Sequence, residues 1–154
     1  MPSPETRIAA LNIVLSQPPK SVANYVPVKQ VGNMLIVSGQ LCLDATGELV
    51  AKGVVGQDLT AEQAILAARA CAINVLAQVR GALGSLDKVK SVVRLGGFVA
   101  AAPGFAGHAA VMNGASDLMV EVFGETGRHA RSTVGVSSLP LQAAVEVEAQ
   151  FEIA

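Results

Sequence analysis

Residues 131–148 decide how this chain is read: Arg131-Ser132-Thr133-Val134-Gly135-Val136, then Leu139-Pro140, then Ala144-Val145-Glu146-Val147-Glu148. They predict two strands joined by a short proline turn, with Arg131 opening the first strand and Glu146 lying in the second. A hairpin-like return would bring that cation and that carboxylate near each other. A guanidinium fork holds a carboxylate through two parallel hydrogen bonds, and a carboxylate nearby can orient or deprotonate a water. The pair points to a site for a small carboxylate-bearing molecule.

The second strand carries a clear period of two. Val145, Val147, Ala149, Phe151 and Ile153 alternate with Glu146, Glu148, Gln150 and Glu152, so one face is buried and the other polar. Glu148 and Glu152 read as the wet face of a half-buried sheet. For Glu146, wet-face and functional readings stand level on the residues alone. Arg131 as a surface ion-pair partner would be ordinary, and such pairs contribute little.

Working outward, Gly124 to Arg128 reads as a loop and His108 to Phe123 as a helix. Val89 to Ala100 is a Val-rich strand interrupted by Gly96-Gly97, glycines that mark a bulge or a close backbone approach. Pro103-Gly104 begins a loop in a Gly-rich region, 96–107, that matches no phosphate-binding string. Thr60 to Gly81 is the longest helix, with Thr60 and Gln63 placed for a capping box and Gly81 and Gly84 for a stop. Asn24 to Gln30 and Met34 to Ser38 read as strands around a Gly32-Asn33 turn. Glu48 to Ala51 reads as a short edge strand. Ser3-Pro4 starts a leading helix, with Ile8, Leu11, Val14 and Leu15 at helical spacing until Gln17-Pro18-Pro19 stops it. Helices and strands in this order predict an α+β fold, with helices covering one face of a mixed sheet.

Composition narrows the function. At 154 residues the chain suits a single domain, 1–154, with 1–21 forming an N-terminal helix and linker. A net charge of -1, with one Tyr, four Phe and no Trp, offers little to phosphates or bases, so nucleic acid is not the expected partner. A hydrophobic fraction of 51% against 15% charged favours burial of apolar surface between subunits. Cys42 and Cys71 cannot make a disulfide framework and are expected to pack as small hydrophobes in a reducing compartment. The first residues do not read as a signal peptide, and no uninterrupted apolar run reaches the ~18 residues of a membrane span. A cytoplasmic protein without membrane partners is the expectation. Around His108 and His129, the only histidines, no spacing of Cys, Asp or Glu suits a metal.

Tyr25 through Gln40 (with Gly32-Asn33-Met34 and Ser38-Gly39-Gln40), the long helix after Gly56, the Val-rich strand, Arg131-Ser132-Thr133-Val134, Leu139-Pro140 and Val145-Glu146-Val147-Glu148 together resemble the RidA/YjgF family, also known as the L-PSP endoribonuclease family. The resemblance spans residues 22 to 153. It implies a chorismate-mutase-like α+β fold, to which this chain adds its N-terminal helix, and a homotrimer with clefts between subunits. It also implies hydrolysis of reactive 2-imino acids and their enamine tautomers to 2-keto acids and ammonia, with no metal or cofactor. By the same resemblance Arg131 is the carboxylate-binding arginine and Glu146 the water-positioning glutamate. Tyr25 is the aromatic wall, Gly39 the backbone that approaches the ligand, and Asn113 the helix asparagine.

The chain departs from that pattern at Thr133, where many deaminating members carry cysteine, and at Gly135, where they carry an acid. A threonine hydroxyl can donate to a ligand oxygen but cannot do thiol chemistry. Two alternatives follow: a non-catalytic binder of small carboxylates, which the departures favour, and a ribonuclease, which the near-neutral charge and the lack of a histidine pair disfavour.

Overall fold

The computed structural model describes residues 2–18, 21 and 23–154; Pro19, part of the expected helix stop, lies outside them. Five strands form one mixed sheet: β1 (Val28–Val31), β2 (Met34–Leu41), β3 (Val89–Ala100), β4 (Ala130–Val136) and β5 (Val145–Ile153). Their spatial order is β1-β2-β5-β3-β4. Helices α2 (Ala61–Leu83) and α3 (His108–Phe123) cover one face, and a short helix α1 (Pro4–Ala10) packs beside α3. The fold is α+β, as the alternation of elements requires.

Local chemistry explains most boundaries. Ser3 caps α1 through its side chain, with Pro4 in the first turn. The helix ends earlier than its apolar spacing suggests, because Asn12 adopts φ 58° and Ile13 N–H returns to Ile8 O at 3.2 Å. That closes a Schellman-type cap, a conformation asparagine tolerates. Ile8 reaches the core, whereas Val14, on the expected apolar face, is 84% exposed. The Thr60–Gln63 capping box forms and Gly84 ends α2 in the left-handed region. Length and apolar character alone would suit α2 to a bilayer; here Ala64, Ala67, Cys71, Val75 and Val79 are buried, and the helix lies across β2 and β5. Gly32 (φ 60°) turns β1 into β2. Pro27 has no N–H to donate to a ladder, so β1 begins at Val28 rather than Asn24. The expected strand at Glu48 to Ala51 is reduced to a single bridge, Leu43 to Leu49.

The expected hairpin of β4 and β5 does not form. β3 lies between them, pairing parallel with β4 (Leu95 with Arg131) and antiparallel with β5 (Phe98 with Glu146). The cause is α3: a helix joining two adjacent strands makes a βαβ unit, which leaves them parallel. Residues 137–144 then carry the chain across to the far side of β3. On β5, Val145, Val147, Ala149, Phe151 and Ile153 are all buried, and the glutamates line the opposite, open face.

Candidate functional site

The correction to the topology splits the expected site in two. Arg131 turns toward the helices: Nη1 donates to Asn113 Oδ1 at 2.8 Å and Ser116 Oγ at 3.1 Å, and Nη2 to Ala109 O at 3.2 Å, all on α3. Glu146 lies on the other face of the sheet. Within one chain, then, the structure unites Arg131 with Asn113 and separates both from Glu146.

The arginine half is built by β4 and α3. Asn113 and Ser116 stand three apart and share a helix face, so both oxygens meet one end of the guanidinium. These bonds use both Nη1 hydrogens and one on Nη2. The Nε hydrogen and the second Nη2 hydrogen keep no partner among the described residues. Every acceptor is neutral; among the described residues no carboxylate pairs with Arg131. Thr133, two positions along the same strand face, has its Oγ1 buried without a hydrogen-bond partner. At Gly135 the imidazole of His108 fills the space a side chain would take, since a Cβ there would sit 2.6 Å from His108 Nε2. Phe105 holds that ring edge-on at 5.2 Å.

The carboxylate half is built by a β-bulge. Val37 pairs with Ala149 and Gln40 with Val147, so β2 carries one residue more than β5 across Ser38-Gly39. Ser38 is tied to the preceding segment by Ser38 N–H to Pro27 O (2.9 Å) and Ser38 Oγ to Val26 O (2.9 Å). Gln40, buried, donates to Ser38 O, and Gln78 of α2 donates to Gln40 Oε1. Asn74 holds the strand's end through Leu41 O and Leu43 O. Gly39 is the point of closest approach: a Cβ there would lie 2.8 Å from Glu146 Cδ. The glutamate's carboxyl thus lies directly on the bulge backbone.

Three glutamates of β5 share this open face, and among the described residues two of them have partners. Glu148 pairs with Arg94 at 3.4 Å. Glu152 accepts from Ser91 at 3.0 Å and faces Lys90 at 4.0 Å. Glu146 has no hydrogen-bond or ion-pair partner among the described residues. Burial, and secondly the charge of Glu148, raise its carboxyl above the ordinary glutamate range. A raised carboxylate is a better proton acceptor near neutrality.

Tyr25, half-exposed, leads into the Val26-Pro27 segment that ties down the bulge. It borders a surface cavity of about 500 Å3 with Gln17, Pro18, Val26 and Gln78. Sequence reasoning gave Ser116 no role and His129 little. His129 lies outside β4, yet its Nε2 is 2.8 Å from Ser116 Oγ. The i, i+3 relation of Ser116 to Asn113 was the available signal. Among the described residues no group of His, Cys, Asp or Glu could hold a metal ion.

This sheet and its helices agree with the fold of known proteins. A family model described as "YjgF/chorismate mutase-like, putative endoribonuclease" matches residues 5–152. Protein TCP17 of Trypanosoma cruzi is 47% identical over 152 residues, covering 96% of this chain and 94% of that protein. Atu1372 of Agrobacterium tumefaciens, solved as a protein of unknown function, is 46% identical with a TM-score of 0.91, covering 98% of this chain and 92% of that one. A solved Shewanella oneidensis protein described as an endoribonuclease of that tentative kind is 33% identical with a TM-score of 0.95, covering 99% and 100%. The chain belongs to the RidA/YjgF family.

Proposed function

We propose that the protein hydrolyses 2-imino acids and their enamine tautomers to 2-keto acids and ammonia, in a cleft that two copies of the chain complete together. The observation that carries this reading is Arg131: a cation held by neutral acceptors, with two N–H groups that meet no acceptor among the described residues. That is how a protein prepares a fork for a ligand carboxylate.

In this mechanism Arg131 of one copy grips the carboxylate and so fixes the imine carbon. Glu146 of a second copy takes a proton from water as the oxygen bonds to that carbon. Glu146 passes that proton to the imine nitrogen, giving the carbinolamine, and then carries the carbinolamine hydroxyl proton to the amine as the C–N bond breaks, so that ammonia leaves and the keto group forms. Imines hydrolyse readily, so positioning and one proton shuttle suffice, the latter contributing on the order of 10²–10⁴-fold. Placement of the two half-sites on opposite faces of one sheet supports assembly, and the family resemblance supports a homotrimer. A small carboxylate-bearing metabolite is the partner, and a cytoplasmic setting suits so reactive a substrate.

The test generates 2-iminopropanoate in situ and follows pyruvate. Wild type accelerates its appearance; Arg131→Lys, which keeps the charge without the fork, and Glu146→Gln lose most of that acceleration. No acceleration by wild type, or equal acceleration by Arg131→Ala, rejects the reading.

A second reading, binding of a 2-keto acid without turnover, is favoured by the covered Thr133 hydroxyl and by His108 over Gly135. Stabilisation by 2-keto acids with no catalysis distinguishes it. The ribonuclease reading has less support: the formal charge is -1, and the histidines make separate contacts, His108 with Phe105 and His129 with Ser116.

A further inference from the structure

Behind Arg131 lies a polar chain that the proposed mechanism does not use. His129 Nδ1 is 2.7 Å from Gly127 O. A carbonyl oxygen only accepts, so Nδ1 carries a proton, and in the Nδ1–H tautomer the lone pair lies on Nε2. Ser116 Oγ, 2.8 Å from Nε2, therefore donates to the imidazole. With its hydrogen committed, the serine oxygen offers a lone pair to Arg131 Nη1 at 3.1 Å. Each bond sets the sense of the next.

The far end of this chain is rigid. Gly127 sits against α3 so closely that a Cβ there would lie 2.8 Å from the carbonyl carbon of Met119 and 3.1 Å from Val120 Cα. Thr126 Oγ1 donates to Phe123 O at 2.9 Å, tying the same turn to the end of α3. The Gly127 carbonyl thus has a fixed place relative to the helix that also carries Asn113, Ser116 and Ala109.

We propose that Ser116 and His129 are positioning residues: their relay pins the Nη1 end of Arg131, so that the Nε and Nη2 hydrogens face the ligand carboxylate in one orientation. This rests on the functional reading above and deepens it. Without the relay, Nη1 keeps Asn113 alone, and the guanidinium can rotate away from the fork geometry. The loss is about one net hydrogen bond's worth of affinity, roughly fivefold.

The experiment has two arms. The first records side-chain 15N NMR signals of Arg131 and His129 in the ligand-free protein. Slow rotation of the Arg131 Nη1 group and an Nδ1-protonated ring are expected in wild type. Ser116→Ala and His129→Asn (which retains a donor near Nδ1 but nothing at Nε2) should free the Nη1 group. His129→Gln, whose amide oxygen can replace Nε2 as acceptor, should restore it. An Nη1 group equally immobile in Ser116→Ala and His129→Asn, or an Nε2-protonated ring, overturns the relay whatever the protein binds.

The second arm titrates pyruvate and pyruvamide, which lacks the carboxylate. Pyruvate binding should weaken about fivefold in Ser116→Ala and His129→Asn and recover in His129→Gln. Pyruvamide binding should not change, whereas general damage to the fold would weaken both. Freed rotation with unchanged pyruvate affinity overturns the link to ligand binding. Wild type that neither binds pyruvate nor accelerates imine hydrolysis sinks the functional reading instead, and the NMR arm separates that failure from this one.

Discussion

Gly39→Ala tests the carboxylate half directly. Gly39 does not occupy the left-handed region, so alanine's backbone fits the bulge; the difficulty is space. The new Cβ would stand 2.8 Å from Glu146 Cδ and 3.1 Å from Cγ, where non-bonded carbons prefer about 3.5–4.0 Å. The carboxyl must withdraw by on the order of 1 Å. Because it ends a flexible, half-buried side chain, leaving its rotamer costs about 1 kcal/mol, and the sheet survives. For a water-positioning group, a displacement of that size can cost about 10²-fold in rate. Urea unfolding should therefore change little, while pyruvate formation from 2-iminopropanoate falls about a hundredfold. A folded variant within about twofold of wild-type rate would show that Glu146's seat on the bulge has no catalytic importance. Collapse of the fold would show that the glutamate cannot yield as argued.

Gly114→Ala should destabilise by about 2 kcal/mol: the gain of about 1 kcal/mol in helix propensity is outweighed because the Cβ would run into the Ile65 carbonyl where α3 meets α2, a backbone collision at the upper end of overpacking costs, about 3 kcal/mol. A urea midpoint at or above wild type would refute that contact. Leu141 is 69% exposed at φ 59°, so Leu141→Gly relieves about 1 kcal/mol of backbone strain with little apolar burial lost, and the melting temperature should rise. Glu148→Gln removes the second cause of the raised Glu146 carboxyl, so Glu146's 13C titration and the acidic limb of the rate profile should move to lower pH. The sign also fixes stability: a raised folded-state carboxyl binds more protons than the unfolded one, so its penalty is absent below the ordinary glutamate range and complete above the folded value. Wild type should lose a little stability as pH rises through that window, and Glu148→Gln should lose less.

Much of the fold was legible because the signals were local. The Thr60–Gln63 box, Gly84, the Gly32-Asn33 turn and the alternation of β5 are decided by neighbouring residues. What misled was also local in form. Val14 and Leu15 continue a helical spacing, but Asn12 ends the helix by a backbone choice that an apolar count does not register. The β4–β5 hairpin was the larger error. Val134 and Val145 lie in strands joined by a proline turn, and nothing in that stretch shows that β3 will come between them. The information sits in α3, upstream, through the rule that a strand-helix-strand unit is parallel. Of the candidate site, Arg131 and Glu146 could be singled out from the residues themselves, and Asn113 and Gly39 through the family resemblance. Ser116 is marked only by its i, i+3 relation to Asn113, and its meeting with His129 depends on how α3 lies over the segment that leads into β4.

The same crossover gives the site its logic. In a hairpin, Arg131 and Glu146 would lie on adjacent strands with charges free to neutralise each other. An exposed pair of that kind contributes little and leaves no cation for a ligand. By inserting β3, the chain turns the arginine to the helix face, where neutral oxygens hold it. It turns the glutamate to the open face, where burial and Glu148 keep its carboxyl raised. Each group stays poised because neither can satisfy the other within one chain. On the proposed function, a ligand carboxylate and a water would be the partners each lacks, and a second copy of the chain would bring the two together.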